Sequence, residues 1–157
     1  MPQQVIETLA LPVGPTRAVA FLTSEEWLTD LADTFDVTLG DNRITVDTTR
    51  SIDVEVPPMA RAFVSSPVII RESRVWSSTG GAGTIDIVFI GLPVRAAGSL
   101  HCVDDPAGCR ITIDVQVVAD VPMFAAIAEQ AVATEMHRII AAEAAAAAAR
   151  LAGRTDA

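Results

Sequence analysis

The sequence contains no lysine and no tyrosine, and its charge is strongly one-sided. All 11 basic residues are arginines, set against 20 acidic residues, for a formal net charge of −9. Binding to nucleic acid and to an anionic membrane surface both depend on clustered basic side chains. The composition therefore argues against nucleic acid as a partner and against attachment to an anionic membrane.

Long apolar runs are missing as well. No stretch reaches the roughly 18 uncharged apolar residues that are needed to cross a bilayer. The opening stretch MPQQVIETLALPV lacks the basic and apolar regions of a signal peptide. The sequence therefore predicts no membrane insertion and a cytoplasmic location.

Cysteine is scarce, with two residues in the whole chain. Cys102 and Cys109 flank VDDPAG, which is typical of a tight turn between two strands. A cross-strand disulfide is geometrically possible, but in a reducing cytosol we expect two free, buried thiols. His101 directly precedes Cys102, and neighbouring side chains on a strand point to opposite faces. The sequence therefore predicts no metal site and no cofactor.

Half of the residues are hydrophobic, and their periodicity predicts an α+β fold. The expected order is a strand at Gln4–Leu11, two short helices, a series of antiparallel strands, and a helix from Pro122 to Gly153. That helix would be roughly 46 Å long. We expect a single domain over residues 1–157, with a core from about 4 to 152 and a disordered tail at 153–157.

The two short helices have recognisable starts. Gly14 is the predicted N-cap of the first helix, with Pro15 at its first position. Thr23 and Glu26 have the spacing of a capping box, which predicts the start of the second helix.

The clearest strand runs from Arg43 to Val56. Its odd-numbered residues are all polar, and its even-numbered residues are apolar except Thr48 and Arg50, as in an antiparallel sheet with one solvated face. An unpaired arginine in a core would cost several kcal/mol. Three explanations stay open. A bulge re-aims Arg50, or Arg50 faces a cavity and holds a ligand carboxylate or carbonyl, or it forms a buried ion pair, for example with Glu72.

Charges also interrupt the next strand, VIIRESRVW. One of its faces carries Val68, Ile70, Glu72, Arg74 and Trp76. We expect Glu72 and Arg74 to balance each other near an edge of the sheet, with at most one of them touching a bound molecule.

The long helix has an apolar stripe that is predicted to lie on the concave side of the sheet. Glu135 falls within the stripe, so its carboxylate is expected to pair with Arg50 or Arg74 or to face an internal void. His137 lies on the opposite side and is predicted to be solvated. The alanine run 144–149 is predicted to be an exposed extension. The stripe consists of Phe124, Ala128, Ala131, Val132, Met136 and Ile139, with Ile140 at its margin.

Three segments resemble a known superfamily. They are VPPMARAFV, VIIRESRVW ending at Trp76, and VVADVPMFAAIAEQAVATEMHRIIAAEAAAAAARLAG. They resemble an uncharacterised bacterial subfamily of the START-like (SRPBCC, helix-grip) superfamily, which includes lipid-transfer domains and polyketide cyclases. The resemblance extends from about Val5 to Ala152. It implies a curved antiparallel sheet of about six strands wrapped around a long C-terminal helix, with two short helices after the first strand.

The same resemblance implies a cavity between the sheet and the long helix that holds a small hydrophobic molecule. The chain's five Phe and two Trp leave few large side chains to fill it. The leading hypothesis is a non-catalytic carrier or sensor, with no catalytic residue assigned. The ligand-binding residues are expected to be Arg50, Ile52, Val54, Arg74, Trp76, Val132, Glu135, Met136 and Ile139.

Two alternatives remain. One is a structural or interaction module with a filled cavity, such as a homodimer formed through a sheet edge or the long helix. The other is a cyclase- or hydratase-type enzyme, for which Glu72, Glu135 and His101 are the candidate acid–base groups.

Overall fold

A computed structural model describes residues 2–53, 58, 61–62 and 66–155 of the chain. Within these ranges the helices and strands follow the predicted order. Their bounds are β1 Gln3–Leu11, α1 Pro15–Leu22, α2 Glu25–Leu31, β2 Thr34–Gly40, β3 Arg43–Ile52, β4 Val68–Ser77, β5 Gly81–Phe89, β6 Val94–Asp105, β7 Gly108–Ala119 and α3 Ala125–Thr155.

The described strands form one antiparallel sheet of seven strands, in the order β1-β7-β6-β5-β4-β3-β2. This is the α+β, helix-grip architecture predicted from the sequence, with one strand more than expected. Strand β4 lies between β3 and β5, whereas β1 and β2 form the edges. The expectation that Glu72 and Arg74 lie near an edge is therefore wrong. An interior strand tolerates these charges because they are paired, as described below.

The inner face of the sheet supplies most of the core. On β7 the inward row Ile111, Ile113, Val115 and Val117 is completely buried, as its alternation predicts. Helix α3 lies across this face and contacts mainly β1 and β7. No helix among the described residues combines the length and the apolar character needed to cross a bilayer.

The hairpin between β6 and β7 carries both cysteines. Cys102 and Cys109 are free and buried, as predicted, whereas His101 is exposed on the other face of β6. Burial raises the pKa of Cys109 to about 12, so its thiol is protonated at neutral pH. Within the described ranges, no three His, Cys, Asp or Glu side chains form a group that could hold a metal ion.

The short helices begin almost as predicted. Gly14 is the N-cap of α1 and Pro15 opens it. The N-cap of α2 is Ser24, one residue after the predicted Thr23, because the Ser24 hydroxyl oxygen accepts from the Trp27 backbone N–H at 3.3 Å. The Thr23 hydroxyl instead donates to the Val19 carbonyl oxygen at 2.8 Å and so belongs to the end of α1.

Helix α3 differs from its prediction at both ends. It begins at Ala125 instead of Pro122, because Met123 has a φ of 70°, which a right-handed helix does not permit. It ends at Thr155 and so includes residues 153–155, which were expected to belong to a disordered tail.

The buried stripe of α3 is also rotated from the predicted one. Phe124 is exposed, and Ala128, Val132 and Ile139 are only partly buried. The expectation that 144–149 is an exposed extension is wrong, because Ala147 is fully buried and small side chains let a helix approach its neighbours closely. The buried row is Glu129, Ala133, Met136, Ile140, Glu143, Ala147 and Leu151.

We predict that Ala147→Leu destabilises the protein. Added methylene groups at a fully packed site force neighbouring side chains or the backbone to shift, at a cost of about 1–3 kcal/mol. The matched control is Ala145→Leu, because Ala145 lies on the exposed side of the same helix and alanine run. Its effect on the free energy of unfolding in urea should stay within about 0.5 kcal/mol. Equal effects of the two variants would contradict the packing of this helix.

Candidate functional site

A cleft of about 560 Å³ opens between α2, the last residues of β3 and the second half of α3. Its apolar walls come from all three elements, and polar groups lie at its floor and rim. The apolar residues that line it are Trp27, Leu31, Ile52, Ile139, Ala142 and Ala146. Six of its lining residues are apolar and eight are polar or charged, a mixture that suits a small molecule with both an apolar and a polar part.

A buried ion pair joins the sheet to the helix beside this cleft. Two guanidinium nitrogens of Arg74, on β4, donate to the two carboxylate oxygens of Glu143, on α3, at 2.8 and 3.1 Å. The third nitrogen, Nε, donates to Oε1 of Glu72 on the same strand. All three side chains are buried, and Glu143 also lines the cleft.

The charges of this ion pair shift the pKa values of Arg74 and Glu143. Burial lowers the pKa of Arg74, but the nearby charges of Glu143 and Glu72 raise it by more, and the net shift is upward. Burial raises the pKa of Glu143, but the charge and hydrogen bonds of Arg74, with a smaller contribution from Arg50, bring it below its usual value. Both groups are therefore charged at neutral pH.

Arg50 lies on the inner face beside this pair. The pairing of β3 with β4 is continuous from Arg43 to Ile52, so no bulge re-aims Arg50. One terminal nitrogen, Nη2, is 3.9 Å from Glu72 Oε2, which is an ion pair but beyond hydrogen-bonding distance. The Nε atom is buried without a hydrogen-bond partner among the described residues. Arg50 also lines the cleft and keeps unused hydrogen-bonding capacity.

Two arginines near the end of α3 form ion pairs with α2 beside the cleft. Arg150 donates to Glu26 at 2.8 Å and also to Asp30, and it lies over the ring of Trp27 at 5.9 Å. Arg154 also reaches Glu26. These contacts fasten α2 to α3 across the mouth of the cleft.

Three of the predicted ligand-binding residues line the cleft, namely Arg50, Ile52 and Ile139. Val54 lies outside the described residues. Trp76 is buried beside Arg74 at a void of about 10 Å³, too small for a ligand.

The remaining predicted residues lie on α3. Met136 is buried, and Val132 packs against the core. Glu135 is partly buried and pairs with the exposed Arg138 at 2.7 Å, so the expectation that it pairs with Arg50 or Arg74 is wrong. Glu143 takes that role. The Nδ1 atom of His137 lies 2.7 Å from Oε1 of Glu7, so this half-buried ring has a partner as well as solvent contact.

Most residues that line the cleft, among them Trp27 and Glu143, were not predicted from the sequence. Glu143 stands immediately before the alanine run, whose composition favours an exposed extension. A signal was present, since Met136, Ile140, Glu143 and Ala147 have the i, i+4, i+7, i+11 spacing of one helix face.

Residues 7–151 match a family described as a protein of unknown function, DUF2505. The chain belongs to this family. No curated protein has a sequence that matches the chain.

Solved structures share the fold of this DUF2505 protein across nearly its whole length. TTHA0849 from Thermus thermophilus has a TM-score of 0.67 at 13% identity, covering 97% of this chain and 99% of its own. The Zhui aromatase/cyclase from Streptomyces sp. R1128 has a TM-score of 0.64 at 11% identity, covering 99% and 96%. At such low identities the likeness shows the fold alone, and it confirms the predicted helix-grip fold.

A third neighbour is larger. The di-domain aromatase/cyclase StfQ, from the steffimycin biosynthetic pathway, has a TM-score of 0.63 at 12% identity. The match covers all of this chain and 53% of StfQ.

We predict that Glu143→Gln destabilises the fold by about 3 kcal/mol at neutral pH, because it removes the main counter-charge of the buried Arg74. Glu135→Gln is the control, since its partner Arg138 is exposed and the pair should contribute no more than about 1 kcal/mol. Urea unfolding measures the change in the free energy of unfolding for both variants.

The pH dependence of the Glu143→Gln effect has a definite sign. The folded-state pKa of Glu143 lies below the unfolded value, which is about 4.3. Its stabilising contribution is therefore complete above that pH and is lost as the pH falls through the folded value. The stability difference between the wild type and Glu143→Gln should shrink on acidification. A difference that stays constant down to the acid transition would contradict the assigned pair.

Proposed function

We propose that this protein binds a small, largely hydrophobic molecule in the cleft between α2, β3 and α3 and acts as a non-catalytic carrier or sensor. The observation that supports this most directly is the cleft itself. It offers about 560 Å³, with Trp27, Leu31 and Ile139 among its walls. Burying an apolar ligand against such walls is favourable in proportion to the area removed from water.

The site differs from the one expected between the centre of the sheet and the helix. The space next to Trp76 is nearly filled, with about 10 Å³ left among Leu28, Val46 and Arg74. The proposed ligand therefore lies in the cleft that Glu143 lines, and not in the void that Arg74 and Glu72 line.

The nearly filled space next to Trp76 favours the second candidate function, an interaction module such as a homodimer. Light scattering together with native mass spectrometry of freshly purified protein distinguishes the two. A monomer carrying a small molecule supports the carrier, whereas a ligand-free dimer at all concentrations supports the module.

An enzymatic role finds less support. Two structural neighbours are aromatase/cyclases. In this chain, however, the candidate acid–base groups do not converge. Glu72 is bound to Arg74 inside the sheet, Glu135 is paired with Arg138, and His101 is exposed on the outer face.

We predict that Ala142→Trp blocks the cleft. Ala142 is exposed on α3 and lines the cleft, so an indole there would occupy ligand space without entering the core. The wild type should bind a neutral apolar fluorophore such as Nile red, and the variant should bind it at least about 10-fold more weakly.

Ala145→Trp is the control for that experiment, because Ala145 is exposed on the same helix and does not line the cleft. It should bind the fluorophore as the wild type does. The proposal is contradicted if the wild-type protein binds no apolar probe. It is also contradicted if both variants lose binding equally.

A further inference from the structure

Resting on the proposed function, we propose that the molecule held in the cleft carries a neutral hydrogen-bond acceptor, such as a ketone, ester or amide carbonyl, and that Arg50 donates to it. The alternative anchor group, a free carboxylate, is a poorer complement to this cleft.

The arginines at the cleft differ in how many of their donors are already used. Arg150 is held by Glu26 and Asp30. Arg138 donates through two nitrogens to Glu135, at 3.1 and 2.7 Å. The neighbouring Arg74 is occupied by Glu143 and Glu72. Arg50, by contrast, makes no hydrogen bond to a described residue within 3.5 Å, and its nearest carboxylate oxygen is 3.9 Å away.

Arg50 is also placed where a guest could use these donors. Its side chain is 14% exposed, and it lines the cleft together with Ile52 of the same inward row. A guest in this cleft would place an apolar body against Trp27, Leu31 and Ile139, and a polar end at Arg50 would supply the missing acceptor. A guest without an acceptor would leave the donors of Arg50 unpaired and shielded from water, which is costly.

The charge balance of the cleft decides between the two kinds of acceptor. Beside the cleft, Arg50 and Arg74 face Glu72 and Glu143, so this group of four charges is neutral; of the four, Arg50 and Glu143 line the cleft. Among the residues that line the cleft, four are acidic, namely Asp30, Asp33, Asp53 and Glu143, and three are arginines, namely Arg50, Arg138 and Arg150.

A carboxylate ligand would therefore bring a further negative charge into a space that already has an excess of one. Glu72, at 3.9 Å from the Arg50 nitrogen, would lie close to it, and repulsion between like charges is strong at low dielectric. A carbonyl accepts the same hydrogen bond without adding charge. The cleft therefore favours a neutral, carbonyl-bearing hydrophobic molecule.

The test uses three probes of nearly equal size on one ring system, measured at pH 7.5 by calorimetry or probe fluorescence. They are 2-acetylnaphthalene with a neutral carbonyl, 2-ethylnaphthalene without an acceptor, and 2-naphthoate with a carboxylate. We expect 2-acetylnaphthalene to bind about 3- to 10-fold more tightly than 2-ethylnaphthalene, the range that one net hydrogen bond provides. It should also bind more tightly than 2-naphthoate.

Arg50→Met should remove the preference for the ketone over 2-ethylnaphthalene while 2-ethylnaphthalene still binds. Arg50→Lys, which keeps the charge and a donor, should retain part of it. Arg110→Met is the control and should bind all three probes as the wild type does, because Arg110 pairs with Asp105 on an exposed hairpin and does not line the cleft. Circular dichroism and urea unfolding establish that each variant is folded.

The outcomes separate this inference from the proposed function. If 2-naphthoate binds most tightly and needs Arg50, the ligand class is anionic and this inference is wrong, although the cleft still binds ligands. If ketone and hydrocarbon bind equally, or if their difference survives in folded Arg50→Met, Arg50 is not the anchor. If no probe binds the wild type, the proposed function fails and this inference fails with it.

Discussion

The pair formed by Arg74 and Glu143 is the interaction on which the arrangement of sheet and helix depends. Helix α3 is rich in alanine, and its buried row includes Ala133 and Ala147, which have little shape to fix its position along the sheet. Two parallel hydrogen bonds of 2.8 and 3.1 Å between a guanidinium and a carboxylate allow little sliding or rotation. A buried ion pair is a weak source of net stability, but it can specify one arrangement over others. Here it ties the buried face of α3 to β4.

The same pair borders two spaces, since Arg74 lines one and Glu143 lines the other. On one side, Trp76, Leu28 and Val46 leave only about 10 Å³ empty. On the other side lies the cleft of about 560 Å³, where Glu143 contributes to the lining. Charged groups need either partners or water, and this position gives Arg74 its partners while the uncommitted Arg50 faces the cleft. Arg50, Glu72, Arg74 and Glu143 together form one polar layer that borders both spaces.

The fold could be predicted largely from the sequence, whereas the site could be predicted only in part. The alternation on β3 and β7 identified inward rows, because a half-buried strand has a strict period of two. The inward position of Arg50 and its nearness to Glu72 followed from the same alternation. Helix α3 gave a weaker signal, since alanine is compatible with both a buried and an exposed face. Because of that ambiguity, the predicted stripe is rotated from the observed one. It includes Glu135 and omits the buried Glu143. The choice between a filled and an open space depends on packing between distant segments, and no local pattern encodes it.

The fixed protonation of the polar layer supports the proposed binding role. A general acid or base works best when its pKa lies near the operating pH. Glu143 is held ionised by Arg74, and Arg74 is held cationic by Glu143 and Glu72, so moving a proton onto or off either group would break the network. Such a layer offers fixed donors and fixed charges that do not change during a reaction cycle. A cleft with this floor can select a guest by shape and hydrogen bonding, and any chemistry on that guest would need proton donors or acceptors from outside this layer.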